Sequence, residues 1–548
     1  MKPPSGFSLD AARIARERKR GVWPERVATD YLDRWATEKP RATAIVGWEL
    51  EGERETRLTY GELARESARF AAALEASGVQ RGDVVSFQMP SRWQFVALYL
   101  ATVRLGAAAN PLMPIFRSRE LGFMLRLAEP RVFVAPAAFR GFDHQALARE
   151  LGKALPATRV LVCGGAGDDS LERALPEAGK ASRFERGARL RPNDVTQLLY
   201  TSGTTGESKG VLHTSNTLLS AVLSYTERMR LGADDVIFMP SPLAHQLGFC
   251  YGMLMALVLG VPLVLADLWR PQRAAQLIEA NGATFTFAAT PFLADLAALP
   301  RENARLGRLR LFASSGAPIP PAVAQAGRER LGVSVAACWG MTECCSVTIT
   351  PPDGSRATES DGRALANGEV RIVDSSGREL PPGRIGTLQV RGASLFVGYL
   401  KRPQLYQLDE QGWFDTGDLA HMDAEGYIRI CGRSKDVIIR GGENIPVVEI
   451  EAALYRMPEV ADAALVAMPD PRLQERACAF VTVRSRATLD LATLCERLAK
   501  EGFSKHFWPE RLELLAEMPR TPTGKIQKYV LRELAKDLQP EAGSARAA

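Results

Sequence analysis

The chain has 548 residues, of which 46% are hydrophobic and 24% are charged, so several hydrophobic cores can form and global disorder is excluded. Its 69 Lys and Arg against 63 Asp and Glu leave a net charge of +6, too dilute for the basic face of a nucleic-acid-binding protein. Its 8 cysteines form no C-x-x-C pair, which indicates reduced thiols, no zinc site and a cytoplasmic protein.

No segment of the sequence is predicted to enter a membrane. Residues 1–20 lack the apolar stretch of a secretion signal. Residues 246–266 are uncharged and about long enough to span a bilayer, but Gly260 and Pro262 interrupt them. We expect an apolar helix over 249–259 and a strand over 263–265, buried in an α/β layer, and no transmembrane segment.

Helices and strands alternate from residue 58 to about residue 340. Thr59 and Glu62 have the spacing of a capping box, which predicts the start of a helix that Gly78 ends. Such alternation predicts right-handed crossovers and parallel sheets, and thus two doubly wound lobes. Strands of the first lobe are predicted at 83–88, 132–134 and 159–163, and strands of the second at 195–200, 236–239, 263–265, 284–288, 309–313 and 335–338.

After about residue 350 the pattern changes to short strands joined by turn residues, which predicts a small antiparallel β unit. From residue 437 a helix around 448–454, strands near 463–467 and 478–483 and a helix near 491–500 predict an α+β module. The expected fold class is therefore α/β. The N-terminal domain, residues 1–434, holds both lobes and the β unit, and a small mobile domain, residues 435–548, ends in a tail disordered from about residue 540.

Residues 200–210 read YTSGTTGESKG and follow a predicted strand. Their three glycines allow close backbone approach to a polyanion, five Ser and Thr residues supply donors, and Lys209 supplies charge, which predicts a phosphate-binding loop. The loop is not the P-loop motif Gly-x4-Gly-Lys-Ser/Thr. In that motif the two glycines are five positions apart and the lysine directly follows a glycine, whereas here the first two glycines are three positions apart and Lys209 follows Ser208. A flexible linker is the alternative, but the apolar Val211 and Leu212 that follow argue against it.

This loop resembles the signature of the adenylate-forming superfamily, which contains acyl-CoA ligases, adenylation domains of peptide synthetases and beetle-type luciferases. The similarity covers about residues 25–535 and is greatest to ligases for cyclohexanecarboxylate and for short- or medium-chain fatty acids. Six further motifs of the superfamily follow in order, at 314–318, 339–343, 413–418, 432–436, 441–445 and 519–525.

The resemblance implies a two-step ligase that uses ATP, Mg²⁺ and CoA. A carboxylate oxygen of the acid attacks the α-phosphorus of ATP, pyrophosphate leaves, and the acyl group then passes to the thiol of CoA. Because the acid is itself the nucleophile, the enzyme has to position two anions and neutralise the developing charge. The implied partners are therefore small molecules, namely a carboxylic acid, ATP and CoA, and a homodimer is left open.

The resemblance also assigns roles to single residues. The expected catalytic residues are Lys525 over the carboxylate and phosphate oxygens, Thr342 on the α-phosphate, Glu343, and His245 beside the carboxylate. Glu343 and Thr201 are expected to hold the metal, Lys435 to be the hinge of the mobile domain, and Gly441, Gly442 and Glu443 to line the CoA path. The expected nucleotide contacts are Thr201, Ser202, Gly203, Thr204, Thr205, Gly206, Lys209, Gly316, Ala317, Trp339, Gly340, Asp418 and Arg433.

Several of these residues also have a plain structural interpretation, which the sequence leaves open. Asp418 and Arg433 could form only an ion pair. His245 could be a buried histidine satisfied by backbone groups. Outside its motif, Glu343 would be read as a solvated surface acid, and Gly316 as a residue of a tight turn.

The substrate is predicted to be a monocarboxylic acid of about six to ten carbons, alicyclic or aliphatic, with aromatic acids second. Ala288, Ala289 and Gly316 would leave volume for a compact apolar body, and residues 110–117 and 244–249 look most like the ligases named above. The alternative enzyme loads a carrier protein, but no carrier follows residue 535. A catalytically inactive binding protein is the alternative outside enzymes, and the intact motif residues argue against it.

Overall fold

The structure is a computed structural model that describes residues 6–177, 179–184, 186–187, 189–201, 208–316, 319–433, 436–440, 443–484, 487–520 and 526–540. Its α-helices are α1 Ala11–Lys19, α2 Ala28–Glu38, α3 Tyr60–Ala76, α4 Trp93–Leu105, α5 Ser118–Ala128, α6 His144–Lys153, α7 Leu171–Ala174, α8 Ser215–Arg228, α9 Gln246–Gly248, α10 Met255–Leu259, α11 Pro271–Ala280, α12 Thr290–Ala298, α13 Pro321–Leu331, α14 Val447–Tyr455, α15 Leu491–Lys500 and α16 Lys528–Ala535.

Its strands are β1 Thr43–Glu49, β2 Arg54–Thr59, β3 Val84–Phe87, β4 Ala108–Pro111, β5 Val132–Pro136, β6 Ala138–Phe139, β7 Phe142–Asp143, β8 Arg159–Cys163, β9 Val195–Thr201, β10 Lys209–Thr214, β11 Ile237–Met239, β12 Leu263–Ala266, β13 Phe285–Ala288, β14 Leu311–Ser315, β15 Ser334–Met341, β16 Cys345–Ile349, β17 Arg363–Ala364, β18 Gly368–Val373, β19 Gly386–Gly392, β20 Phe414–Met422, β21 Ile428–Arg433, β22 Ile438–Arg440, β23 Glu443–Ile445, β24 Val460–Asp470, β25 Gln474–Val483 and β26 Arg511–Leu514.

The chain divides into two compact units. Unit one comprises residues 1–370 and 390–414, and unit two comprises residues 371–389 and 415–548. Unit one contains a nine-stranded sheet, ordered β17-β16-β15-β14-β13-β11-β12-β1-β2, and a six-stranded sheet, ordered β10-β9-β4-β3-β5-β8.

The helices of unit one cover both faces of both sheets. The buried residues of α3, α4 and α8 share one core with strands of the two sheets, so these helices lie between the sheets. α5 and α6 pack on the other face of the six-stranded sheet, and α11, α12 and α13 on the other face of the nine-stranded sheet. This layered α/β arrangement confirms the predicted fold class. The capping box of Thr59 and Glu62 is also formed, at the start of α3.

The sequence prediction was wrong about which strands share a sheet. β9 was expected to open the second lobe, but it pairs in parallel with β4 and belongs to the six-stranded sheet. β1 and β2, which precede every predicted strand, form one edge of the nine-stranded sheet, where β1 pairs in parallel with β12. A hydrophobic run predicts that a strand exists, whereas its partner depends on how the connecting helices pack.

Residues 246–266 are buried in unit one, as predicted, but their helix is irregular. It begins as α9, continues as a π-helical segment over Phe249–Leu254 and ends as α10. Gly260, with a φ of +69°, terminates α10, and β12 follows. Within the described ranges, no helix combines the length and the apolar character that crossing a membrane requires.

Unit two contains most of the four-stranded sheet β18-β19-β20-β21 and a five-stranded sheet, in which β23-β22-β25-β24 are ordered side by side and β26 pairs with β25. α14 and α15 pack against the core of the five-stranded sheet, and α16 contributes to a second core with β24 and β25. The helices and strands predicted after residue 437 are therefore confirmed. Residues 541–548 of the predicted tail lie outside the described residues.

Candidate active site

The predicted phosphate-binding loop connects β9 to β10. These strands are antiparallel, and their register sets Lys209 opposite Thr201. Thr201 Oγ1 is buried without a hydrogen-bond partner in the part of the chain that the structure describes, so a ligand oxygen could satisfy it. The predicted nucleotide contacts between the strands, Ser202, Gly203, Thr204, Thr205 and Gly206, lie outside the described residues.

Glu343 lies in the turn between β15 and β16, with only 3% of its surface exposed. Tyr399 Oη donates a hydrogen bond of 2.9 Å to Glu343 Oε1. Lys209 Nζ is 3.3 Å from the same phenol oxygen and 4.7 Å from the centre of the Tyr399 ring. The structure thus brings Lys209 and Glu343 together around Tyr399, and burial excludes the surface-acid interpretation of Glu343.

Tyr399 is a candidate site residue that the sequence analysis missed. Burial, and secondarily the charge of Glu343, raise the pKa of the Tyr399 phenol, so it keeps its proton and can donate to the carboxylate. Its contact with Glu343 joins residues 56 positions apart. No local motif signals such a contact, because it exists only once the chain is folded.

His213 of β10 holds the backbone of the same turn. Its Nε2 donates a 2.7 Å hydrogen bond to the carbonyl oxygen of Thr342, and its Nδ1 is 3.0 Å from Thr217 Oγ1. Burial lowers the pKa of His213 to about 4, so the ring is neutral at pH 7. A neutral imidazole therefore fixes the main chain at Thr342, next to Glu343. The sequence analysis missed His213 as well.

We expect His213 to make the stability of unit one depend on pH. Its folded-state pKa of about 4 lies below the ordinary 6.5, so the unfolded chain binds the proton more tightly and the free energy of unfolding falls as the pH drops below about 6.5. Between pH 7 and pH 5 this group should account for a loss of about 2 kcal/mol. Chemical denaturation at both pH values measures the loss. In His213→Gln the amide can still donate to Thr342 but does not titrate, so the decrease in unfolding free energy between pH 7 and pH 5 should be smaller by about 2 kcal/mol. The same decrease in the variant and the wild type would contradict the assignment of this pH dependence to His213.

Two predicted nucleotide contacts stand where the backbone itself requires glycine. A Cβ atom on Gly340 would lie 2.1 Å from the carbonyl oxygen of Cys345, so only glycine permits the close approach of β15 and β16. Gly316 follows β14 with a φ of +90°, and no atom lies within 4 Å of a Cβ placed on it. The tight-turn interpretation of Gly316 is therefore confirmed. The nucleotide contacts of Gly316, Gly340 and the largely buried Trp339 stay predictions.

His245 caps the start of α9. Its Nδ1 accepts a 3.3 Å hydrogen bond from the backbone N–H of Leu247, which confirms that a backbone group satisfies this histidine. Burial lowers the pKa of His245 to about 4, so it is neutral at pH 7. The adjacent Gln246 is buried, and its Nε2 is 3.1 Å from Cys345 Sγ. This contact links the start of α9 to the turn that carries Glu343.

Three buried aromatic side chains fill the interior beyond this turn. The ring centres of Tyr225 and Tyr251 are 4.5 Å apart, and the Phe287 ring lies 5.6 Å and 5.3 Å from them. Tyr251 Oη accepts a 2.8 Å hydrogen bond from the backbone N–H of Ser346 in β16. Ala288, the small residue expected beside the acyl group, directly follows Phe287 and is fully buried. Its side chain lies on the opposite face of β13, in the core formed with α11, α12 and α13, because successive strand residues point to opposite faces. The three rings fill the interior on the Phe287 face, which leaves little room there for a long chain.

In unit two, Asp418 of β20 and Arg433 of β21 are opposite each other in an antiparallel register. Arg433 Nε lies 2.8 Å from Asp418 Oδ1, and Asp418 is 5% exposed. The ion-pair interpretation is therefore confirmed. The predicted contact of these two residues with the ribose stays a prediction.

Other predicted site residues lie outside the described residues, namely Ala317, Lys435, Gly441, Gly442 and Lys525. Glu443 begins β23, and its backbone pairs with that of Arg440 in β22. Arg440 Nη2 is 2.7 Å from Glu510 Oε1, and both side chains are at least nine-tenths buried. A buried ion pair thus anchors the strand that leads into the predicted CoA path.

Comparison with known proteins gives matches along nearly the whole chain. The family model of the AMP-binding enzyme matches residues 32–400, and that of the AMP-binding enzyme C-terminal domain matches residues 449–525. The chain is 34% identical over 539 residues to a medium-chain fatty-acid–CoA ligase of Escherichia coli K12, covering 96% of this chain and 94% of the relative.

Two further matches represent aromatic-acid enzymes and solved structures. A salicylyl-CoA synthase / salicylate adenylyltransferase of a Streptomyces species is 33% identical over 537 residues, covering 95% of this chain and 96% of the relative. The crystal structure of ATP-bound MatB from Rhodopseudomonas palustris is 30% identical, with a TM-score of 0.83 over 93% of this chain and 99% of that chain. The chain therefore belongs to the AMP-binding enzyme family and is an adenylate-forming acyl-CoA synthetase, as its motifs predicted, with ATP and CoA as the substrates that the family implies.

Proposed function

We propose that the protein joins a compact monocarboxylic acid of about six to ten carbons to CoA, through an acyl-adenylate and with release of pyrophosphate. The observation that carries this choice of acid is the ring cluster of Tyr225, Tyr251 and Phe287, which fills the interior beyond the turn of Glu343. The identity to the medium-chain fatty-acid–CoA ligase of Escherichia coli supports the same length range.

In this proposal the cluster around Tyr399 serves the first step. Lys209 supplies positive charge beside the phosphates, which repel the incoming carboxylate. Tyr399 donates to Glu343 and so orients its carboxylate. His213 fixes the main chain of Thr342, whose hydroxyl is expected to hydrogen-bond the α-phosphate. The neutral His245 would orient the acid without adding a charge that could pair with its carboxylate.

The residues present also fit a magnesium ion. In the described part of the chain, no group of three or more His, Cys, Asp or Glu could hold a metal. Mg²⁺ is usually held by one or two carboxylates together with substrate phosphates, so a dedicated cage is not required. Glu343 and the unsatisfied Thr201 hydroxyl would hold it, and the bound ion would neutralise phosphate charge.

A pyrophosphate-release assay with a panel of acids tests the proposal. Hexanoate, octanoate, cyclohexanecarboxylate, benzoate, salicylate, acetate and palmitate are compared with and without CoA, and mass spectrometry identifies the thioester. We expect the aliphatic and alicyclic acids of six to ten carbons, namely hexanoate, octanoate and cyclohexanecarboxylate, to give the highest kcat/KM. A preference for acetate or palmitate would refute the proposed substrate class.

An aromatic acid is the second candidate. The salicylyl-CoA synthase relative matches over nearly the same length as the fatty-acid ligase does, and the ring cluster could pack against a flat substrate. Benzoate or salicylate exceeding octanoate in the same panel would favour it. Transfer to a carrier protein would appear as pyrophosphate release without a CoA thioester.

We expect Tyr251 to limit the length of the acid. Tyr251→Ala should raise the kcat/KM for dodecanoate relative to that for octanoate about tenfold, because the truncated side chain leaves a cavity in which added methylenes can be buried. Tyr251→Phe is the matched control, since it loses the hydrogen bond to Ser346 but keeps the ring. Preference should be unchanged in Tyr251→Phe. An unchanged preference in Tyr251→Ala would show that the ring does not bound the acyl site.

The remaining predictions belong to the same proposal. Asp418 and Arg433 would contact the ribose, Lys435 would be the hinge, and Gly441, Gly442 and Glu443 would line the CoA path. The domain division after residue 434, the homodimer and the cytoplasmic location also stay predictions.

A further inference from the structure

Arg13 is a buried cation that the proposed reaction does not use. It lies in α1, is 5% exposed, and donates to the backbone carbonyls of Gly392 and Phe396 at 3.4 and 3.0 Å and to that of Leu395. Burial lowers the pKa of Arg13. Burying a guanidinium costs desolvation free energy, which hydrogen bonds to three carbonyl oxygens offset. These bonds require the 392–396 backbone to keep the conformation that turns the three carbonyls towards Arg13.

The backbone that Arg13 holds also holds Glu343. The N–H of Phe396 donates a 2.7 Å hydrogen bond to the carbonyl oxygen of Glu343. Three residues further on, Tyr399 Oη donates to the Glu343 carboxylate. Residues 392–400, here called the Tyr399 loop, therefore fix Glu343 at both its main chain and its side chain.

The rest of the N-terminal segment follows the same loop. Trp23 Nε1 donates a 3.0 Å hydrogen bond to the carbonyl oxygen of Ala393, and the N–H of Ser8 donates a 2.6 Å hydrogen bond to that of Val397. A Cβ atom on Gly6, whose φ is +94°, would lie 1.9 Å from the carbonyl oxygen of Tyr399. Residues 6–23 thus line the loop over its whole length, although the matched part of the AMP-binding enzyme model begins only at residue 32.

We propose that residues 6–23 clamp the Tyr399 loop through Arg13 and thereby position Glu343 and Tyr399 for acyl-adenylate formation. Arg13 is a positioning residue in this inference, because it contacts the carbonyls of the loop and acts through Glu343. The inference rests on the proposed function of Glu343 in the first step. It assigns a role in that step to a segment that carries none of the seven sequence motifs.

Single-turnover measurements of the two half-reactions in Arg13→Met test the clamp. Formation of the acyl-adenylate should slow by about 10- to 100-fold, since a shift of about 1 Å in a positioned group has effects of this size. Thioester formation from supplied acyl-adenylate should stay within about twofold, because the proposed function gives Glu343 a role only in the first step. Amide hydrogen exchange should accelerate within residues 392–400. Arg13→Lys keeps the positive charge but loses the planar set of guanidinium N–H donors. It should show the same selective slowing of the first step and the same faster exchange, both to a smaller degree, and it tests the proposal even if Arg13→Met fails to fold.

Arg104→Met is the matched control. Arg104 is also a buried arginine of unit one, 2% exposed, with Asp33 at 2.6 Å and the carbonyl oxygen of Gly187 at 2.9 Å. This variant should lower the melting temperature but leave the ratio of the two half-reaction rates and the exchange of residues 392–400 unchanged. Equal slowing of both half-reactions in Arg13→Lys, or unchanged exchange of the Tyr399 loop, would overturn the clamp. If the wild type released no pyrophosphate with any acid, the proposed function would fail, while the exchange result would still decide whether Arg13 holds the loop.

Discussion

Replacing Glu343 by glutamine should slow acyl-adenylate formation by about 100- to 1,000-fold, the usual cost of removing one preorganised electrostatic group at developing charge. The carboxylate is buried, so water does not replace it, and the neutral amide lacks the negative charge with which a carboxylate holds Mg²⁺. The change is nearly isosteric, so the turn between β15 and β16 should keep its shape. Rapid-quench measurement of acyl-adenylate under single-turnover conditions gives the rate.

Tyr399→Phe separates the charge of Glu343 from its orientation. This variant keeps the ring beneath Lys209 and removes only the hydroxyl that donates to Glu343. We expect a smaller loss, about tenfold, because the carboxylate stays present but is less well held. If Tyr399→Phe were slower than Glu343→Gln, the phenol rather than the carboxylate would be the principal group.

Lys525→Ala and Gly442→Leu should damage opposite half-reactions. In the proposed mechanism Lys525 neutralises the carboxylate and phosphate oxygens during adenylation. Its loss should therefore raise the activation barrier of that step by several kcal/mol, which slows the step about 100-fold or more. Thioester formation from supplied acyl-adenylate should be spared. Gly442→Leu should spare the first step and slow the second, because a side chain would obstruct the path of the thiol.

Single-turnover rates for each half-reaction in both variants provide the measurement. The melting temperature of each variant serves as the control for folding. Equal losses of both steps in both variants would refute the assignment of Lys525 and Gly442 to different steps. Loss of the second step alone in Lys525→Ala would reverse the assignment.

Much of the local structure could be predicted because its causes are local. Thr59 and Glu62 satisfy unpaired N–H groups at the start of α3, and this needs only four consecutive residues. The apolar run that becomes β8 matches its predicted bounds, and so does α15. The order of seven motifs was enough to predict the family, because phosphate binding and adenylation demand particular residue types at short spacing.

Sheet membership and the contacts of the candidate site required the folded chain. β9 lies beside β4, and β1 beside β12, because the connecting helices pack between two sheets, which no hydrophobic run reveals. Tyr399 and His213 reach the turn of Glu343 from other strands and loops.

By itself the sequence determined the fold class and the adenylate-forming family, since each is expressed in short patterns. The residues that carry the family's chemistry stay predictions from the same motifs. Only the tertiary structure decided what holds those residues in place. It buried Glu343 against Tyr399, set Arg433 on Asp418, and brought Arg13 to the carbonyls of the Tyr399 loop. The physical reason is that the hydrogen bond between Arg13 and Phe396 joins residues 383 positions apart in the sequence. A contact between residues so far apart in sequence is specified by the packing of the folded chain and not by sequence neighbours.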